Sequence, residues 1–312
     1  MDPKYSNTLQ HAASDGAHGD RLWNFLLATG AVRGVIVNGT RTIQEMRSSH
    51  GLGILETMVL GRAYLGVTLM AGDLKGRDRM VMRIDCSGPI KGLVAEANAF
   101  GEVRGYLKRI PIPMDKPPEN FDLARFFGRG IISVTRYLQD AKHPFTSQVE
   151  LKYGNIALDL ANYYLESEQV PTAFNLGIKL DRQGEVTGAG GLLLQTMPDA
   201  SESIAADLEE RVSHLPSLGV VFTEGDNPRQ LVEEVFKPYS PLFLAERPVE
   251  FRCHCNRGRL RVLLTLMDIN ELKDILKTGP FPLEIRCHYC NTVYRFDRIE
   301  IERIYGMRNP DN

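Results

Sequence analysis

Cysteine placement constrains this chain more than any other feature. Four of its five cysteines form two close pairs near the C-terminus, Cys253-His254-Cys255 and Cys287-His288-Tyr289-Cys290, with residues 256 to 286 between them. Thiols in two pairs at this spacing match a tetrahedral four-cysteine site, in which each pair supplies two ligands from a tight turn. The expected cofactor is zinc, one ion per chain, held by Cys253, Cys255, Cys287 and Cys290 and welding together a segment too small for a robust core. His254 and His288 lie between ligands, but in so short a link the intervening side chain points away from a metal that both sulfurs coordinate. Cys86 stands alone and reads as a small core hydrophobe.

Zinc binds thiolate, so the four sulfurs of such a site are held deprotonated, electron-rich and open to an oxidant. Arg252, Arg257, Arg259, Arg261 and Arg286 crowd them and favour the thiolate form. Oxidation would remove ligands in pairs and expel the metal. Because zinc binding in small Cys sites contributes about 10–16 kcal/mol, its loss would unfold a segment whose order depends on it. The spacing alone leaves two readings open, a purely structural zinc ribbon and a redox switch.

In a chain of 312 residues, five cysteines are too few for a disulfide-stapled secreted scaffold. The 37 Lys and Arg against 39 Asp and Glu leave a formal −2, no global footprint for nucleic acid or an anionic membrane. That average hides three unlike parts. Residues 1–198 carry 22 basic and 20 acidic residues, 199–248 carry four and ten, a net of −6, and 249–312 carry eleven and nine. No uncharged apolar run approaches the ~20 residues needed to span a bilayer. The first twenty residues hold Asp2, Asp15, Asp20 and a single Lys, unlike an acid-poor, Arg-rich transit peptide. The chain therefore reads as soluble and cytoplasmic.

Hydrophobic periodicity predicts an α+β organisation, with a mixed sheet-and-helix domain over 1–198, an acidic helical linker over 199–248 and a zinc domain over 249–312. Met80, Met82, Ile84 and Cys86 alternate with Val81, Arg83 and Asp85 up to Gly88-Pro89, a half-buried strand. Leu52 to Ala71 reads as a helix buried on most sides, and Asn155 to about Ser167 as a helix with Ile156, Leu160 and Tyr164 on one face. Strands are expected over Thr172–Leu180 and in the glycine-rich run Gly188-Ala189-Gly190-Gly191 that leads into Leu192–Leu194. In the linker, Ile204, Leu208 and Val212 make one helical stripe. Asn227-Pro228-Arg229-Gln230 starts a second helix as a capping box. Pro238, Pro241 and Pro248 then predict a break in regular structure.

The chain resembles the redox-regulated holdase chaperones of the heat-shock protein thirty-three family. The CxC and CxxC pairs carry the resemblance, together with Ala31-Val32-Arg33-Gly34, Gly72-Asp73-Leu74-Lys75-Gly76, Gly88-Pro89-Ile90-Lys91-Gly92-Leu93, Val103-Arg104-Gly105, Tyr163 through Thr172, and Gly190-Gly191 with Leu193 through Pro198. The resemblance implies a reduced, zinc-bound, inactive state. Oxidation would form Cys253–Cys255 and Cys287–Cys290 disulfides, release zinc, unfold the zinc domain and destabilise the linker, exposing apolar surface that holds unfolding clients without ATP. It further implies homodimers in the active state and transfer of clients to ATP-dependent chaperones. One run departs from the family: Asn256-Arg257-Gly258-Arg259 follows the CxC pair where Ser, an acidic and a basic residue are usual.

The linker stripes must pack on something to stay ordered. If the zinc domain supports them, its collapse exposes them; the alternative is permanent docking on the first domain. A nucleic-acid-binding zinc ribbon is a rival reading, since Arg257, Arg259, Arg261, Arg295 and Arg298 could meet phosphates. A thiol–disulfide oxidoreductase is a second, resting on Cys287-His288-Tyr289-Cys290. Gly72 to Gly76 lacks the spacing of a phosphate loop, Gly188 to Gly191 fails the dinucleotide pattern, and the remaining histidines are scattered, so no enzymatic activity is expected.

Overall fold

The computed structural model describes residues 19–114, 123–198, 200–223 and 227–308. The charge reading of the first twenty residues therefore lies, but for Asp20, outside the described residues, as do Asp199, Glu224 and Asp226 of the acidic segment. Two compact units divide the chain, Met1–Arg252 and Cys253–Asn312.

In chain order the first unit runs β1 (Arg21–Leu27), β2 (Val32–Asn38), α1 (Thr40–His50), α2 (Ile54–Met70), β3 (Arg79–Cys86), β4 (Gly92–Asn98), β5 (Glu102–Leu107), α3 (Ala124–Phe127), β6 (Gly130–Tyr137) and β7 (Phe145–Glu150). It continues through α4 (Ile156–Tyr163), β8 (Thr172–Leu180), β9 (Val186–Thr196), α5 (Glu202–His214), α6 (Leu218–Thr223), α7 (Pro228–Val235), β10 (Leu242–Pro248) and β11 (Glu250–Phe251). One sheet has the order β10-β1-β2-β9-β8 and the other β11-β5-β4-β3-β6-β7. All pairings are antiparallel except β11 with β5. The fold is α+β, as the periodicity indicates.

Helix α2 packs on β4 and β5 of one sheet and on β8 and β9 of the other, which is why it is apolar on nearly every side. Together with the turn after it, it is the stretch among the described residues long and apolar enough to cross a membrane, and it lies buried inside the unit. Met80, Met82 and Ile84 of β3 point into the same core. Cys86, at the strand end, packs half-buried against it, and burial pushes its thiol pKa up. Asn155 caps α4 by accepting from the N–H groups of Ala157 and Leu158, and Ile156, Leu160 and Tyr164 are buried as expected. Beyond Tyr163, however, the α-helix opens into a wider π turn over Tyr164–Glu168, because Glu168 is drawn to Arg136 (3.2 Å) and to the Tyr163 hydroxyl (3.0 Å).

Helices α5 to α7 lie on the opposite face of the first sheet. Leu208, Val212, Leu218, Val221, Phe222, Val232 and Phe236 form a second core with Phe25, Leu27, Val32, Ile36, Leu192 and Leu194. The support of the linker stripes is thus the first unit's own sheet. Asn227 accepts from the Arg229 N–H and Pro228 opens α7, as read from sequence. Gln230 does not complete the capping box and donates to Glu234 instead. Pro238 and Pro241 lie in the break between α7 and the next strand, as expected, but Pro248 does not end regular structure. Leu242–Pro248 is strand β10, tolerated because it is an edge strand with Pro248 at its last position, where a missing N–H costs no ladder bond.

The second unit comprises α8 (Arg257–Leu266), α9 (Ile269–Thr278), the hairpin β12 (Leu283–Arg286) and β13 (Val293–Phe296), and α10 (Arg298–Arg308). Its fully closed core is small: Leu264, Leu272, Phe296, Ile301 and Ile304.

The glycine-rich run of β9 has a steric purpose. A Cβ on Gly188 would overlap the Gly219 carbonyl oxygen of α6, and one on Gly190 the Phe222 ring. Gly188→Ala is therefore expected to lift α6 off the sheet at a cost of about 1–3 kcal/mol. The check is a lower urea midpoint together with increased binding of an apolar dye by the reduced protein; an unchanged midpoint contradicts the close-approach account.

Candidate metal centre

Two short segments bring the four thiols together. The first is Cys253 to Cys255, which runs into α8. Asn256 is the helix cap, its side chain accepting from the Arg259 N–H at 2.9 Å. A capping position needs only a short acceptor, so the departure from Ser leaves the helix start intact. Gly258 sits in the first turn, and Arg259 donates to the His254 carbonyl at 2.8 Å.

The second segment is the turn of the β12–β13 hairpin. Cys287 N–H donates to the Thr292 carbonyl (2.9 Å) and Asn291 N–H to the Cys287 carbonyl (2.8 Å), with Asn291 in the left-handed region at φ 60°. Arg286 fixes the Asn291 side chain at 2.8 Å. This knuckle turns Cys287 and Cys290 toward the first pair.

All four Sγ atoms lie within 4.8 Å of one another. Cys253 and Cys287 are 3.8 Å apart and Cys255 and Cys290 3.2 Å. Four sulfurs at ~2.3 Å from one tetrahedral ion would be spaced by about 3.8 Å, so the donor set and its size fit a metal of zinc's kind. Among the described residues this is the one group of metal-ligating side chains so arranged, and neither His254 nor His288 belongs to it.

The surroundings treat the sulfurs unequally. Burial pushes the Cys255 and Cys287 thiols up. Burial also opposes ionisation of Cys290, but hydrogen bonds from Thr292 and its neighbouring thiols outweigh it and bring this pKa down to about 7. The Thr292 hydroxyl is 3.2 Å from Cys290 Sγ. The Tyr294 hydroxyl lies 3.3 Å from Cys255 Sγ and 3.2 Å from the Cys255 carbonyl oxygen, and its own pKa is raised by the sulfur beside it. Sequence reasoning missed Thr292 and Tyr294, because only the hairpin register folds residues after the last cysteine back over the first pair.

The arginines proposed for phosphate contact are largely engaged elsewhere. Arg257 pairs with Glu300 (2.5 Å), Arg295 with Glu284 (2.8 Å) and Arg298 with Glu302 (3.1 Å). The CxxC pair sits on an antiparallel hairpin, not after the strand of a βαβ unit, which removes the basis of the oxidoreductase reading.

An α+β unit with helices laid over one sheet, followed by a small unit centred on four converging thiols, defines a two-unit thiol-centre protein. Comparison with known proteins places it more closely. The family model described as Hsp33 protein matches residues 20–297. A 33 kDa chaperonin of Desulforamulus reducens is 35% identical over 286 residues, 91% of this chain and 97% of that protein. One from Aquifex aeolicus is 34% identical, covering 87% of this chain and 85% of its own length. The crystal structure of the 33 kDa chaperonin (heat shock protein 33 homolog) of Thermotoga maritima superposes with a TM-score of 0.84 at 33% identity, covering 94% of this chain and all of that one. The chain belongs to the Hsp33 family, a family of chaperones. Membership and the four-thiol cluster together fit a redox-regulated holdase, and nothing favours the nucleic-acid alternative.

Removing a hydroxyl that hydrogen-bonds a thiolate leaves the sulfur more electron-rich, and one such bond contributes about 1 kcal/mol. Tyr294→Phe and Thr292→Val are each expected to accelerate peroxide-driven metal release several-fold. A chromogenic chelator follows the release; rates equal to the unsubstituted protein would show that these hydroxyls do not tune the sulfurs.

Proposed function

We propose that this protein is an ATP-independent holdase whose client-binding surface is uncovered by oxidation of a zinc centre at Cys253, Cys255, Cys287 and Cys290. The observation that carries the reading is the convergence of these four sulfurs in a unit whose own core is small. Bound zinc would keep the sulfurs as thiolates and cross-link the two segments that carry them. The chain divides functionally into a client-binding core over 1–198, an acidic linker over 199–248 and a redox-switch domain over 249–312.

In the reduced state the thiolates are the oxidisable groups, and Arg259 and Asn256 hold the first pair at the start of α8. Peroxide accepts two electrons for each disulfide formed and leaves as water. The pairs implied are Cys253–Cys255 and Cys287–Cys290. All four sulfurs lie within 4.8 Å of one another, with Cys253 3.8 Å from Cys287 and Cys255 3.2 Å from Cys290, so a disulfide within either pair draws its sulfurs out of the four-sulfur cluster. Oxidation and loss of order in this unit accompany one another.

Clients would meet the apolar face of the first sheet. Phe25, Leu27, Val32, Ile36, Leu192 and Leu194 are covered on that side chiefly by α5 to α7, with Phe236 and Phe243 packed on Phe25. Departure of the acidic linker helices exposes this face. The active form is a homodimer acting in the cytoplasm, and it passes clients to ATP-dependent chaperones.

Hydrogen peroxide with mild heat is expected to release one zinc per chain and to turn an inactive protein into a suppressor of client aggregation, followed by chelator absorbance beside light scattering. A variant with all four cysteines changed to Ser should give no oxidant-dependent activity. Should that variant fold, stay inactive when reduced and respond to oxidant as the parent does, the switch is elsewhere.

A further inference from the structure

The linker helices and the eleven residues from Leu242 to Arg252 are held to the first unit by different forces. Helices α5 to α7 rest on the sheet through side-chain packing. The hydrogen bonds of the described residues between Ser201 and Pro241 run within that segment, apart from a 3.4 Å contact between the Thr223 and Thr187 hydroxyls.

From Leu242 onward the attachment is made by the backbone. β10 pairs with β1 from Leu242 to Pro248 although most of its side chains are exposed. Val249 N–H donates to the Asp20 carbonyl (2.9 Å), and the Thr42 hydroxyl donates to the Val249 carbonyl (3.4 Å). Glu250 N–H donates to Gly101 (3.1 Å) and Arg252 N–H to Val103 (3.0 Å), so that β11 joins the second sheet. Gly101, at φ 84°, lets the β4–β5 turn pass beneath the Pro248 carbonyl, where a Cβ would collide. Phe251 stacks on Tyr64, with ring centroids 6.4 Å apart.

Arg247 is the fastener of this stretch. Its guanidinium donates to the carbonyls of Ala71 (3.4 Å), Gly72, Leu74 (3.5 Å) and Ala99 (3.0 Å). The first three lie in the turn that follows the C-terminus of α2, where the helix dipole is negative; the Ala71 carbonyl also accepts from the Leu74 N–H and the Gly72 carbonyl from Asn24. One side chain therefore ties an edge strand of the first sheet to the central helix and to a turn of the second sheet. The first metal-site cysteine, Cys253, follows one residue after the last stitch.

We propose that residues 242–252 form a fixed seam, locked by Arg247, that stays docked when the linker helices leave the sheet. The linker then opens as a loop anchored at both ends, by β9 with the Met197 N–H on Ala31 (2.9 Å) at the front and by β10 at the back. Disorder in the second unit stops at Arg252 instead of running back along the chain. This rests on the holdase reading for its trigger, and the experiment separates the two.

Hydrogen exchange with mass spectrometry on the full chain, reduced and peroxide-treated, tests it. Peptides covering 202–235 and 253–308 should exchange at least ~10-fold faster after oxidation, while amides of 243–252 keep their reduced-state rates. Loss of protection over 243–252 in step with 202–235 overturns the seam. If oxidation leaves 202–235 protected, the trigger reading fails, and the seam is judged in the reduced protein alone. There, low urea should open 202–235 before 243–252, and coincident opening overturns it. Arg247→Met, which keeps the stem and loses the donors, should make 243–252 open together with 202–235 while β2 and β9 stay protected. Unchanged protection in that variant refutes the role of Arg247.

Discussion

Four sulfur atoms meeting within 4.8 Å join the two ends of the C-terminal unit's central stretch. Its apolar centre reduces to Leu264, Leu272, Phe296, Ile301 and Ile304, with a rim of partly buried side chains. A core of that size does not by itself outweigh the conformational entropy of the helices and hairpin around it. The two cysteine-bearing segments come from opposite ends of the unit's central stretch. A cross-link between them closes the loop that contains α8, α9 and β12. In the proposed switch the atoms that supply the closure are also the ones an oxidant attacks, which couples stability to sensitivity in this unit.

The first unit divides its hydrophobic surface differently. One core surrounds α2 and draws on both sheets. The other lies on the far face of the first sheet beneath α5 to α7. Glycines at 188 and 190 let α6 approach the strands so closely that the fit depends on the absence of a side chain. That makes the covering helices well matched in shape yet poor in backbone bonds to the strands beneath them, a combination that suits the lift-off proposed above.

Much of this was legible in the sequence because it depends on periodicity. The buried faces of α2, α4, α5 and β3, the cap at Asn227 and the four cysteines each announce themselves within a window of a dozen residues. What escaped depends on partners distant in the chain. Nothing near Tyr294 says that it folds over Cys255; the hairpin register decides that. Nothing near Glu168 says that Arg136, 32 residues earlier, will widen the end of α4. Of the three prolines read as a break, Pro238 and Pro241 do separate α7 from β10, whereas the edge position of β10 makes the missing N–H of Pro248 harmless. The support of the linker stripes was likewise open, since a helical stripe shows that a partner exists and not which one it is.

Helix α2 has the composition of a membrane span and is sealed between two sheets. A chaperone that uncovers sticky surface on demand runs the hazard of coagulating with itself. Here the most dangerous stretch of the chain lies in the permanent compartment, behind strands that the linker never touches on that side. The surface that the proposed switch opens comes from strand faces whose backbones are paired in the sheet. The molecule can thus become adhesive without offering its own neighbours an unzipped segment to nucleate on.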